Sequence, residues 1–129
     1  MRLLLDTHIF LWYVGGDQRV AFALRETISN ADAVYLSVAS VWEVTIKYQA
    51  GKLSLPEPPN PWLSEQRERH GIESLAIDEA TVAHLSKLEP HHRDPFDRIL
   101  VCQAIEHQLQ IVTIDPVISK YPAKILAPA

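Results

Sequence analysis

The chain has 129 residues, 47% of them hydrophobic and 22% charged, with a formal net charge of −4 at pH 7 and a pI near 5.8. That length suits one domain spanning residues 1–129 and leaves no room for a second core. The acid excess argues against a protein that grips nucleic acid through a basic groove, but not against an enzyme whose own acids hold a cation, because a bound cation inverts the local field.

No apolar run approaches the ~20 residues of a membrane-spanning helix, and the apolar start is broken by Asp6 and His8. Neither a membrane span nor an export signal is expected. The single cysteine, Cys102, allows no internal disulfide and fits a reducing, cytoplasmic location. Its neighbours Ile99, Leu100, Val101 and Ile105 make it a small core residue rather than a nucleophile.

In chain order, Arg2 to Leu5 reads as a short buried strand, and Thr7 to Val14 as an apolar helix stopped by Gly15-Gly16. Asp17 to Ser29 carries Val20, Ala23, Leu24 and Ile28 at helical spacing. Ala33 to Leu36 is a second apolar run, after which Ser37 opens a helix ending near Gly51. Leu53 to Pro61 holds four prolines and must be a loop. Pro61 to His70 predicts a polar surface helix, Glu73 to Ile77 a strand, and Asp78 to Leu88 a helix capped by Asp78 with Val82, Leu85 and Leu88 inward. After a polar loop over 90–94, Pro95 to Gln108 predicts a strongly apolar helix and Ile111 to Ile114 a strand. Asp115-Pro116 opens a short helix, and Lys124 to Leu126 forms an edge strand. Strands alternating with helices predict an α/β fold whose parallel sheet is covered on both faces.

Four acids, Asp6, Glu43, Asp97 and Asp115, each stand where a helix is expected to begin, and Asp6 and Asp115 directly follow apolar strands. In an open α/β sheet such positions meet in a crevice at the carboxyl ends of the strands. Four acids there repel one another unless a cation neutralises them, and hard cations prefer carboxylate oxygens. Capping is the competing explanation. Ser40-Val41-Trp42-Glu43 has the form of a capping box, Asp94-Pro95-Phe96-Asp97 places acids at N-cap and N3, and Asp6 and Asp115 are also in capping positions. Capping explains Glu43 poorly if Ser37 is the cap, because Glu43 then lies beyond the first turn among Val41, Trp42, Val44 and Ile46. A buried acid there needs a partner, and a shared cation would supply it.

The runs Leu5-Asp6-Thr7-His8, Ser37 to Glu43, His92 to Leu100 and Val112-Thr113-Ile114-Asp115 resemble, in order and spacing, the PIN domain family and in particular its VapC ribonuclease toxins. The resemblance covers nearly the whole chain. It implies a single PIN-like α/β/α sandwich with a mainly parallel four- to five-stranded sheet. It also implies an acidic site for Mg²⁺ or Mn²⁺, endonucleolytic cleavage of RNA, a homodimer, and a cognate antitoxin that restrains the enzyme. The family's acidic quartet falls on Asp6, Glu43, Asp97 and Asp115. Asp94 competes with Asp97 for the third place; Asp97 matches the pattern of an acid leading into the core helix, which leaves Asp94 as the cap. Thr7 and Thr113 fall at hydroxyl positions near the family's acids.

In this reading Asp6, Asp97 and Asp115 hold the cation, and Glu43 positions the attacking water or takes its proton. Thr7, Thr113, Ser40 and Asp94 support the ligands. Lys47 and Arg98 are candidate phosphate contacts, with Lys52 and Arg93 more simply solvated and Arg98 alternatively paired with Asp94. His91-His92 has no third ligand at a convincing spacing and reads as loop. Trp12, Tyr13, Trp42 and Tyr48 read as core or dimer surface rather than base-stacking platforms, and a face carrying Phe10, Trp12 and Tyr13 is a candidate docking surface. Two rivals remain. A Mg²⁺-dependent phosphohydrolase usually wants paired acids after its first strand, whereas Thr7 and His8 follow Asp6. A catalytically silent RNA- or protein-binding module has no reason to keep four acids together.

Overall fold

Leu3, Leu4 and Leu5 have no exposed surface, and their alternation along β1 (Arg2–Leu5) builds the molecule outward in two directions. Leu3 and Leu5 join one apolar cluster, Leu4 a second. Full burial of each such side chain is worth about 1.5–3 kcal/mol. The computed structural model describes residues 1–90 and 94–126; His91, His92 and Arg93 lie outside them.

β1 is the central strand of a five-stranded sheet, flanked by β2 (Ala33–Ser37) and β4 (Gln110–Val112). β3 (Glu73–Leu75) and β5 (Lys124–Leu126) are the edges. Every neighbouring pair is parallel, with Leu5 in register with Leu36 on one side and Val112 on the other. The first cluster is closed by Ile9 and Phe10 of α1 (Thr7–Val14), Leu24 and Ile28 of α2 (Phe22–Ser29), Val44 of α3 (Val38–Gln49), and Trp62 and Leu63 of α4 (Pro59–Arg69). The second is closed by Leu100, Val101 and Ala104 of α6 (Pro95–His107), against which α5 (Glu79–Ala83) packs. The result is an α/β/α sandwich. Among the described residues no helix is long and apolar enough to cross a membrane.

Several boundaries differ from the sequence reading. The expected helix over Asp17 to Ser29 begins only at Phe22; the Asp17 carboxylate accepts from the Arg19 amide at 2.9 Å and turns the chain instead. The helix expected over Asp78 to Leu88 breaks after Ala83 into a 3₁₀ turn over His84–Lys87. Asp78 is its N-cap, but Thr81 is the buried residue and Val82 is 45% exposed. The strands expected to reach Ile77 and Ile114 stop at Leu75 and Val112, and the opening expected at Asp115-Pro116 becomes a 3₁₀ turn over Ile118–Lys120. The helix read as polar and superficial buries Trp62 and Leu63 under α3 and the sheet. Phe10 is core, not part of a docking face. Cys102 is fully buried on α6, where burial pushes its thiol pKa up and leaves it unreactive.

Candidate active site

The strand order, which runs outward from β1 to β2 and β3 on one side and to β4 and β5 on the other, reverses between β1 and β4, the position at which ligands bind in open α/β sheets. Asp6 follows β1 directly, and its amide donates to the Val112 carbonyl of β4 at 3.0 Å. It is the N-cap of α1, accepting from the Thr7 amide through Oδ1 at 2.7 Å. Its other oxygen accepts from the Thr113 hydroxyl at 2.6 Å. That hydroxyl also accepts from the Asp115 amide at 3.0 Å, so one threonine ties together the acids that follow the two central strands. Burial raises the pKa of Asp6 above 3.8. The Thr113 and Thr7 hydrogen bonds and the nearby His8 oppose this, while Glu43 adds to it.

Ser37 caps α3, accepting from the Ala39 amide at 3.0 Å. The Ser40 capping box is therefore absent, and Glu43 lies in the second turn, buried. Its Oε1 accepts from the Thr7 hydroxyl at 2.8 Å, and the same hydroxyl stands 2.8 Å from that of Ser40. Its Oε2 accepts from Lys47 Nζ at 2.7 Å. The partner that a buried acid requires is here an ammonium one turn further along the helix.

Asp94 is the N-cap of α6, accepting from the Phe96 amide at 2.9 Å, with Pro95 at N1 and Asp97 at N3. Asp115 accepts from the Val117 amide at 2.8 Å. Both explanations of the acids therefore hold at once: Asp6, Asp94 and Asp115 cap local backbone and still face a common space.

That space is an open pocket of about 340 Å³, lined by Asp6, Glu43, Asp94, Asp97 and Asp115 together with Lys47. His8, Trp12 and Ile114 complete its wall. The His8 and Trp12 rings are tilted against each other with 5.9 Å between centres, and the Arg19 guanidinium lies 4.9 Å from the Trp12 ring centre. Sequence reasoning missed His8 and Ile114 and took Trp12 for core or dimer surface. The available signal was the i, i+4 spacing from His8 to Trp12, starting in the turn that Asp6 caps. Arg98 is directed elsewhere: its guanidinium donates to the carbonyls of Leu85 and Glu89, both at 3.3 Å. Lys52 is exposed. A cavity of about 380 Å³ between α6 and β5 carries no carboxylate.

The lining suits a hard cation in kind, with five carboxylates against one ammonium. Its side chains are nonetheless engaged with Thr7, Thr113, Lys47 and local amides, and among the described residues no three His, Cys, Asp or Glu side chains are placed to share an ion.

Residues 3–124 match the PIN domain model. The chain belongs to the PIN domain family. It is 28% identical over 114 residues to the Ribonuclease VapC22 of Mycobacterium tuberculosis, covering 88% of this chain and 86% of that one. In structure it resembles chains of VapBC2 from Rickettsia felis, bound to a DNA fragment from its promoter (TM-score 0.75, 14% identity, 98% of each chain). It also resembles DNA-bound VapBC from Salmonella typhimurium (TM-score 0.74, 18% identity, 100% of this chain and 99% of that one).

Proposed function

We propose that this protein is a Mg²⁺- or Mn²⁺-dependent endoribonuclease, the toxin of a type II toxin–antitoxin pair. The observation that carries the reading is the meeting of Asp6, Glu43, Asp97 and Asp115 in one pocket beyond the central strands of a PIN domain. Kinship with a VapC ribonuclease supports it.

Asp6, Asp97 and Asp115 would hold the cation once their side chains turn towards it, since no three acids among the described residues are already placed to share an ion. When bound, such a cation lowers the pKa of water and stabilises charge on phosphate oxygens. The chain's own residues do the rest. Glu43, fixed by Thr7, orients the attacking water and takes its proton; Thr113 holds Asp6 with one oxygen turned towards the hydroxyl. Lys47 is the pocket's candidate phosphate contact. Arg98, spent on backbone carbonyls, is instead a brace between α6 and the preceding turn.

The same reading includes a cytoplasmic location, a homodimer and a cognate antitoxin. An exposed apolar stripe on α3, Val38, Trp42 and Ile46 at i, i+4 and i+8, supports a protein partner.

The test is cleavage of a mixed RNA pool with Mg²⁺, Mn²⁺ or EDTA, by wild type and Asp97→Asn. Asparagine preserves the polar first-turn side chain but not the charge. Expected is metal-dependent cleavage by wild type and a loss of at least about a hundredfold in a mutant that still folds. Equal cleavage by both proteins would return the third position to Asp94. A wild type freed of antitoxin and inert towards every RNA would favour the silent binding module.

A further inference from the structure

Lys47 stands in an unusual place for a charge-pairing lysine. An exposed Glu–Lys pair at i, i+4 contributes little and often forms loosely. Here the Glu43 side chain is only 5% exposed, that of Lys47 40%, and the contact is 2.7 Å. A carboxylate so buried cannot stay ionised without a charged or hydrogen-bonding partner. Glu43 has two, the Thr7 hydroxyl and the Lys47 ammonium, one on each oxygen. Lys47 also lines the pocket shared by Asp94 and Asp97. Its pKa is raised, first by the hydrogen bond to Glu43 and then, against some cost of burial, by the charges of Glu43, Asp94 and Asp97.

We propose that Lys47 is the pocket's built-in counter-cation: its ammonium neutralises Glu43 in the metal-free protein and must give that place up when a divalent cation enters. The inference rests on the metal-dependent reading of the pocket. Its physical basis is competition. A cation arriving among these acids repels an ammonium already there, and the flexible four-carbon stem of lysine lets that ammonium withdraw. The apparent affinity for the cation is then reduced by the fraction of time the Lys47 ammonium occupies the pocket. Lys47 is thus a positioning residue that sets how much metal the site needs, and it protects a buried acid when metal is scarce.

The experiment compares the full chain, free of antitoxin, as wild type, Lys47→Met and Lys47→Arg. Mn²⁺ binding is read by calorimetry, and thermal unfolding is followed in EDTA and in saturating Mn²⁺. Lys47→Met should bind Mn²⁺ about tenfold more tightly and melt lower than wild type in EDTA, with the gap closing in Mn²⁺. Lys47→Arg, which keeps the charge and pairs carboxylates in a two-pronged fashion, should bind Mn²⁺ no more tightly than wild type, and keeps the test decisive if the methionine variant fails to fold. Mn²⁺ affinity unchanged or weakened in a folded Lys47→Met, or tighter binding by Lys47→Arg, would overturn the counter-cation role while leaving the metal site standing. A wild type that binds no Mn²⁺ would bring down the metal reading and this inference with it.

Discussion

At the scale of single residues, the acids of the pocket do two jobs with the same atoms. Asp6 caps α1 through one oxygen and is held by Thr113 through the other, yet it is buried, and burial raises its pKa above 3.8. The native state therefore holds a proton on Asp6 more tightly than the unfolded chain does. Ionising this carboxyl costs stability as pH rises from 3.8 through the raised value, and the cost stays in place above it. Asp6→Asn keeps a cap acceptor without the charge. In EDTA it should melt higher than wild type at neutral pH, with the advantage fading to nothing as pH falls to 3.8 and below. An advantage independent of pH would mean that packing, not ionisation, separates the two proteins. Asp6, Glu43, Asp97 and Asp115 were legible as a set because their spacing repeats a family pattern. The Lys47 partnership was not, because the sequence reading gives the buried Glu43 a shared cation as its partner, and Lys47 one turn on reads as a phosphate contact at the rim.

At the scale of elements, the start of α3 decides what Glu43 can do. Two serines, Ser37 and Ser40, compete for the cap in the sequence. Ser37 prevails because it ends β2 with an extended backbone (φ −68°, ψ 143°) and bonds the Ala39 amide. Ser40 is left inside the helix with its hydroxyl against Thr7. Replacing Ser37 with Ala should cost about 1 kcal/mol, a fall of about 3–5 °C in melting temperature for a chain of this size. A scan at fixed buffer checks it, and an unchanged melting point would show the cap is dispensable. The misjudged elements share a cause. Asp17 starts a turn rather than a helix because its carboxylate bonds the chain two residues on. α5 gives way to a 3₁₀ turn that places Leu85 and Leu88, but not Val82, against the protein. Periodicity alone cannot separate a long helix from a helix followed by a tighter turn.

At the scale of the whole molecule, three apolar side chains remain outside both cores on one helix: Val38 at 41%, Trp42 at 59% and Ile46 at 44% exposure. Trp42 rests edge-on against Phe96, at 5.1 Å between ring centres, beside the acids at the start of α6. If a protein partner covers this stripe, Trp42→Ser should weaken the antitoxin complex by tenfold or more, as buried aromatic anchors do. The folded chain, which loses only that edge contact, should change in stability by about 1 kcal/mol or less. Equal antitoxin affinity for wild type and variant, measured by calorimetry, would place the partner on another face.

What the sequence by itself determined is local. The runs Leu3-Leu4-Leu5 and Ile111-Val112 read as buried strands, Gly15-Gly16 as the stop of α1, Asp78 and Asp94 as caps and Asp6 as a candidate cap, because each rests on hydrogen bonds or burial patterns a few residues long. Only the tertiary structure decided that β1 lies between β2 and β4, so that acids more than a hundred residues apart line one pocket. It alone put His8 and Trp12 in that wall and turned Arg98 away from it. The reason is that strand order and side-chain direction follow from how the two apolar clusters close around the sheet, a balance struck over the whole chain and written in no single segment of it.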